Sequence, residues 1–213
     1  MNKTALLAAT VAFGLAGSAL AASATVHKPY TMLWNQNSNY GSGVNSQVYE
    51  SSMQQYDDFA ADDFVVPAGQ TWTVTELDVT GAYVGGSGPA SSETIWIYRS
   101  SKRNKVNGTK YYALDVPCTD NSGSFQCILP GQHRKPGVKL LSGTYWVSIV
   151  ANCASTVCGQ WQWTENTTVT GNQAVWGNPQ NGWNTGCNEF EPLSTCFGGT
   201  PADLAFDLQG IIE

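Results

Sequence analysis

The chain has 213 residues, with 10 Lys and Arg against 16 Asp and Glu, which gives a formal net charge of −6. This acidity argues against a nucleic-acid partner, since such proteins present basic surfaces. Gly, Trp and Tyr are abundant (22, 8 and 9 residues) and only 12% of residues are charged. Because aromatic residues favour strands and glycine favours turns, the composition predicts an all-β protein and excludes a helical one.

The N-terminus predicts a secretory signal peptide over residues 1–21. Lys3 precedes an apolar run at 5–17, and Ala19-Leu20-Ala21 matches the small-residue cleavage pattern, with 22–24 as a second candidate. The run is too short for a membrane anchor, and no other stretch approaches the roughly 18 apolar residues of a membrane helix. We therefore expect a mature chain, 22–213, that forms one domain without a membrane span and is extracellular or periplasmic.

Short strands separated by turns are predicted along the mature chain. A strand at 64–66 precedes a turn at 67–70, and a strand at 71–81 changes the parity of its apolar residues, which predicts a β-bulge or a passage between sheets. A strand at 93–99, apolar on both parities, is expected to be covered on both faces. A strand that ends at 138–140 is followed by a turn at 142–143 and by a strand at 144–151. Further strands are expected at 160–164 and 203–209, and the last should point Asp203, Asp207 and Gln209 outward.

These elements predict a jelly-roll-like, two-sheet antiparallel β-sandwich with local disulfides. The six cysteines form three neighbouring pairs, and an even number in an exported chain indicates disulfides. We predict the pairs Cys118–Cys127, Cys153–Cys158 and Cys187–Cys196.

Segments 61–83, 140–151, 159–164, 174–183 and 203–210, in this order, resemble a group of uncharacterised secreted bacterial proteins, some of which carry PEP-CTERM-type sorting tails. The resemblance implies a jelly-roll-like sandwich and an extracellular location, and it implies no activity. The sequence ends at Glu213 without the hydrophobic helix and basic tail of the tailed members, so anchoring is not expected.

Aspartates beside two phenylalanines suggest a metal site. Asp58, Asp62 and Asp63 carry the oxygen ligands that calcium prefers, although their spacing does not match an EF-hand loop. The alternative is that these carboxylates cap strand ends. No other cofactor is expected.

Aromatic and amide side chains in 159–184 suggest a carbohydrate site, because tryptophan faces stack on sugar rings and amides bond hydroxyls. The candidates are Trp161, Trp163, Trp176, Trp183, Gln160, Gln162, Asn178 and Asn181. Trp161 and Trp163 share one face of a strand and are expected to present their rings side by side. The alternative is that these tryptophans fill the core, to which we assign Trp72, Trp96 and Trp146.

Catalytic motifs are scarce. The chain has two histidines, His27 and His133, and no G-x-S-x-G nucleophile elbow, and no motif selects a pair of carboxylates for glycoside hydrolysis. The sequence therefore favours a non-catalytic protein that binds an extracellular carbohydrate or surface polymer. A structural or matrix protein without a small-molecule site and a glycan-active enzyme remain the alternatives, and the sequence leaves the oligomeric state open.

Overall fold

The computed structural model describes residues 30–102, 105–131 and 137–213. The predicted signal peptide, His27 and His133 lie outside these ranges. Among the described residues no helix is long and apolar enough to cross a membrane.

Strands dominate the structure, joined by short turns and a few helical turns. A 3₁₀ helix spans Ser51–Tyr56, and two short helices are α1 (Ser155–Cys158) and α2 (Leu193–Phe197). The strands are β1 (Thr31–Asn35), β2 (Tyr40–Asn45), β3 (Gln47–Val48), β4 (Phe59–Val79), β5 (Gly81–Gly85), β6 (Ser92–Ser100), β7 (Val106–Val116), β8 (Cys118–Asn121), β9 (Ser124–Ile128), β10 (Val138–Asn152), β11 (Gly159–Asn166), β12 (Val175–Gly177), β13 (Glu191–Pro192), β14 (Asp203–Leu204) and β15 (Phe206–Ile212).

The strands form two sheets, which confirms the predicted antiparallel two-sheet class. The large sheet has the order β1-β15-β4-β10-β6-β7, with β3, β8, β9, β12 and β13 attached to it. The small sheet has the order β14-β11-β2, and β5 also pairs with β11. Neighbouring strands are antiparallel except for the parallel pair β3–β10.

The core lies between the sheets, and tryptophans of β11 fill it. Trp161 packs on Phe125 with ring centroids 4.8 Å apart, and Trp163 packs edge-on to Phe206 at 6.1 Å. Both tryptophans are fully buried. Burial of such large side chains contributes several kcal/mol to the association of the two sheets, by roughly 25 cal/mol per Å² of apolar surface.

The parity change predicted in 71–81 is confirmed as a bulge at Thr75. Glu76 pairs with Gln209 and Val74 pairs with Gly210, so Thr75 is the extra residue of β4. The bulge lets apolar residues on both sides of it point into one core.

At the two predicted turns, 67–70 and 142–143, strands β4 and β10 each continue as a single strand. Residues 67–70 of β4 are skipped in the pairing where β10 skips Ser142. The two irregularities lie opposite each other and bend both strands without ending either. The prediction that a turn at 142–143 separates two strands is therefore wrong, and residues 67–70 form an irregular stretch within β4.

Two strand predictions are wrong about which side chains are buried. The segment predicted at 203–209 divides at Ala205 between β14 of the small sheet and β15 of the large one, and Asp203 is buried rather than outward. Strand β6 buries Ile95 and Ile97 on one face but leaves Trp96 partly exposed on the other, so Trp96 is not a core residue. Trp72 and Trp146 are buried as predicted.

The three predicted disulfides, Cys118–Cys127, Cys153–Cys158 and Cys187–Cys196, are all present. Disulfides form and persist in oxidising compartments, so they indicate an extracellular β protein.

Candidate functional site

Trp161 and Trp163 do not form a binding face. Their indole N–H groups donate to the carbonyls of Gly123 (2.7 Å) and Ala205 (2.9 Å), inside the core. The prediction that they present exposed rings is wrong, because alternation places both on one face of β11 and that face is the one against the large sheet. Their hydrogen-bonding capacity is already used by backbone.

Gln160 and Gln162 consequently occupy the outer face of the small sheet. In register with them lie Val84 of β5 and Asn45 of β2. Residues two apart on a strand lie about 7 Å from each other on the same face. Gly43 helps to place Gln162, since a Cβ added at Gly43 would come within 2.8 Å of the Gln162 Cβ.

Trp183 borders this outer face and is held by several contacts. Its indole N–H donates to Asp58 Oδ2 at 2.8 Å and to the Tyr56 carbonyl at 2.9 Å. Tyr56 packs edge-on to its ring, with centroids 5.0 Å apart. Its backbone N–H donates to Asn178 Oδ1 at 3.0 Å. The half-buried ring is thus fixed before any ligand arrives, which lowers the entropy cost of binding.

Two open cavities meet at Trp183. The first, which we call the Tyr49 cavity, has a volume of about 480 Å³ and is also lined by Met53, Tyr56 and Gln160. The second, the Glu165 cavity, has a volume of about 460 Å³. Its walls include Ser42, Asn45, Gln162, Glu165, Thr185 and Phe197. Trp183 lines both cavities, and we refer to the two together as the outer-face groove.

Several polar groups of the outer-face groove have no partner within the described part of the chain. The structure gives no hydrogen bond for the side-chain amides of Gln160 and Gln162. Asn45 Oδ1 and the Tyr49 hydroxyl are buried atoms without a partner, one beside each cavity. An unpaired buried polar atom costs about 1–3 kcal/mol, whereas the amides of the partly exposed residues Gln160 and Gln162 are open to water or a ligand.

The predicted asparagines shape this site and do not form its surface. Asn178 is fully buried, and its Nδ2 donates to the carbonyls of Gln55 and Asp57, both at 2.8 Å. Asn181 has a φ of 54° and accepts a hydrogen bond from the Gly186 N–H at 2.9 Å, which forms a turn. Both residues position the Trp183 loop.

Trp176 is also mainly structural. It is 1% exposed, and its indole N–H donates to the Asn45 carbonyl at 2.9 Å. It touches the Glu165 cavity and supports the exposed ring of Phe197, with centroids 4.8 Å apart.

The aspartates predicted to bind calcium accept hydrogen bonds from N–H groups. Asp58 accepts from the Gln47 N–H and from Trp183, and Asp63 accepts from the Asn172 backbone and side chain. Asp62 accepts from the Leu204 N–H at 2.6 Å and from Gln36 Nε2. These N–H donors bond to the carboxylate oxygens of all three residues, a geometry that favours the alternative of structural carboxylates, while calcium binding stays a prediction. No group of three or more metal-ligating side chains occurs within the described ranges.

Burial governs the charge state of these carboxylates. It raises the pKa of Asp58 and of Asp62 well above the usual range for aspartate, and for Asp62 the neighbouring Asp203 raises it further. Because a carboxyl group accepts hydrogen bonds in its neutral and in its charged form, Asp58 can hold the indole N–H of Trp183 in either state.

Sequence reasoning missed a second aromatic cluster, on the outer face of the large sheet. Trp96 packs against Phe59 and Tyr112, with centroids 5.9 and 5.2 Å apart, and Tyr98 packs against Phe190 at 5.9 Å. Because apolar residues occupy both odd and even positions of 93–99, the sequence predicts a strand covered on both faces and so places these aromatic side chains in the interior.

Comparisons with known proteins assign no family. No protein-family model matches the chain, and no curated protein matches it. One solved structure with a similar arrangement contains the cysteine protease and lectin-like domains of Cwp84, a surface layer associated protein of Clostridium difficile. The match has 12% sequence identity and a TM-score of 0.40, and it covers 71% of this chain but 31% of that one. A likeness this distant carries no functional argument.

Proposed function

We propose that this chain is a secreted, non-catalytic β-sandwich protein that binds carbohydrate in the outer-face groove. The observation that carries the proposal is a pre-positioned tryptophan, Trp183, between two cavities whose floor presents the amides of Gln160 and Gln162. An aromatic face packs on the apolar face of a sugar ring, and an amide can both donate to and accept from hydroxyl groups.

The shape of the groove supports an extended ligand. Gln160 lines the Tyr49 cavity, Gln162 lines the Glu165 cavity, and Trp183 lines both. A chain of sugar units can contact both amides while one unit lies at the indole. A small single-site ligand would use only one of the cavities.

The groove residues support a binding role over hydrolysis. Among the described residues that line it, Glu165 is the one carboxylate, and it accepts a hydrogen bond from Ser42. Hydrolysis of a glycosidic bond by the common mechanisms needs two carboxylates across the bond. The groove therefore lacks the pair that this chemistry requires.

The test is a polysaccharide pull-down followed by titration with the bound polymer. The double variant Gln160→Ala/Gln162→Ala should keep its fold, because these amides make no hydrogen bond to the described residues, and should weaken binding at least about fivefold. Trp183→Ala should weaken it at least about tenfold, the scale of an aromatic anchor. Tyr112→Ala, an exposed aromatic change on the other sheet, is the matched control and should bind normally.

Three results would overturn the proposal. Unchanged affinity of the glutamine double variant would remove the groove from the binding site. Failure to bind any polysaccharide would favour the structural or matrix alternative. Turnover of a bound polymer would show an enzyme.

A further inference from the structure

We propose that the aromatic cluster on the outer face of the large sheet is a second binding site, for a quaternary or methylated ammonium group. The site is a cavity of about 250 Å³ lined by Phe59, Trp96, Tyr98, Phe190, Asn188 and Glu189. We call it the aromatic box. It lies on the opposite sheet from the outer-face groove and does not depend on the function proposed for that groove.

The rings of the aromatic box form walls. Trp96 and Tyr98 project from the same face of β6, two residues apart. Phe59 stands at 79° to Trp96, and Phe190 stands at 70° to Tyr98, each pair with centroids 5.9 Å apart. Steeply inclined rings enclose a rounded group from several sides, whereas a sugar ring needs one flat, open platform.

The polar groups of the aromatic box indicate the charge of its ligand. Glu189 is the one charged residue among those that line it, and no Lys or Arg of the described chain does so. Lys105 lies against the neighbouring cavity, where it pairs with Glu191 at 3.9 Å. One carboxylate beside several aromatic faces, with no basic side chain among them, favours a cation.

Ring faces attract cations that approach within about 6 Å of the ring centroid, and the interaction is stronger when water is excluded. A quaternary ammonium group has no N–H to be satisfied, so an aromatic enclosure does not leave unpaired donors. A primary ammonium group would lose hydrogen bonds to water there. The aromatic box therefore suits a methylated ammonium better than a lysine-like amine.

The experiment compares choline with 3,3-dimethylbutan-1-ol, which has the same shape but no charge. We expect choline to shift the indole N–H resonance of Trp96 in a ¹H–¹⁵N spectrum, assigned by its loss in Trp96→Phe. The neutral analogue should bind at least about tenfold more weakly, the scale of several cation–π contacts. Glu189→Gln should weaken choline binding about threefold or more, while Asp115→Asn, an exposed carboxylate change outside the cavity, should not.

Equal binding of the two compounds would overturn the proposal, because the cavity would then be only an apolar one. Absence of choline binding, or choline binding that Trp96→Leu and Glu189→Gln both leave unchanged, would also overturn it. If Trp96→Leu does not fold, Phe190→Leu replaces it in the same comparison, since Phe190 lines the cavity and is partly exposed.

Discussion

Replacing Asp203 by Asn should remove part of the pH dependence of folding. Asp203 is fully buried at the start of β14, where its Oδ2 accepts a hydrogen bond from the Thr170 N–H at 2.6 Å. Its Oδ1 is buried and has no partner in the described part of the chain. Burial, with the nearby charge of Asp63, raises the pKa of Asp203 to about 7.

The sign and the size of the effect follow from this shift. An unfolded aspartate has a pKa of about 4, so the folded state binds the proton more tightly. The stability gained from that proton is fully present below pH 4 and is lost as the pH rises towards 7. At about 1.4 kcal/mol per pKa unit the full difference would be about 4 kcal/mol. Relaxation and water penetration reduce it, and we expect about 1–2 kcal/mol.

Urea unfolding at pH 4.5, 6 and 8, followed by tryptophan fluorescence, measures this contribution. Relative to Asp203→Asn, which is neutral at every pH, the wild-type free energy of unfolding should fall by about 1–2 kcal/mol across the range. Glu93, with a pKa near 7, titrates in both proteins and cancels in the difference, whereas the part of the raised pKa of Asp62 that Asp203 causes is lost in the variant and belongs to the measured difference. A pH-independent difference between the wild type and Asp203→Asn would refute the reasoning.

Two further predictions test the core and the Trp183 loop. Trp161→Ala should lower the free energy of unfolding in urea by about 3–5 kcal/mol, because it empties a buried site; a loss below about 1 kcal/mol would contradict its place in the core. Cys187–Cys196 and Cys118–Cys127 both join residues nine apart, so replacing either pair by serine should cost about 2–3 kcal/mol. Loss of the Cys187–Cys196 bridge alone should also weaken polysaccharide binding in titrations, since the bridge holds Cys187, whose carbonyl accepts a hydrogen bond from the Asn178 N–H (2.8 Å) at the base of the segment that carries Trp183. Equal effects of the two replacements on binding would contradict a role of that segment in the site.

Much of the fold could be predicted because local patterns encode it. Cysteines close in sequence could only bridge turns, and the parity change between Val74 and Leu77 could only mark a bulge or a sheet change. The errors arose where pairing with distant strands decides the outcome. Nothing local shows that the irregularities at 67–70 and Ser142 face each other and so bend two continuous strands.

The candidate site was harder to predict because alternation along a strand identifies two faces but not which one is covered. Trp161 and Gln160 lie on opposite faces of β11 in either case, and only the packing of the small sheet on the large one buries the tryptophan. Trp183 was among the candidates, but its position depends on Asp58 and Asn178, which are distant in sequence from one another. For Trp96 the error is the opposite one: a strand that is apolar on both faces is predicted to be buried on both, whereas the face of β6 that carries Trp96 is partly exposed.

The measurement that tests the carbohydrate proposal most directly is a ¹H–¹⁵N titration of the indole N–H resonances with a soluble oligosaccharide of the polymer that binds. We predict that the Trp183 resonance shifts progressively with ligand, while those of Trp161 and Trp163, hydrogen-bonded in the core, do not. A saturable shift at other tryptophans with Trp183 unmoved would contradict the account, as would the absence of any shift at concentrations that saturate binding.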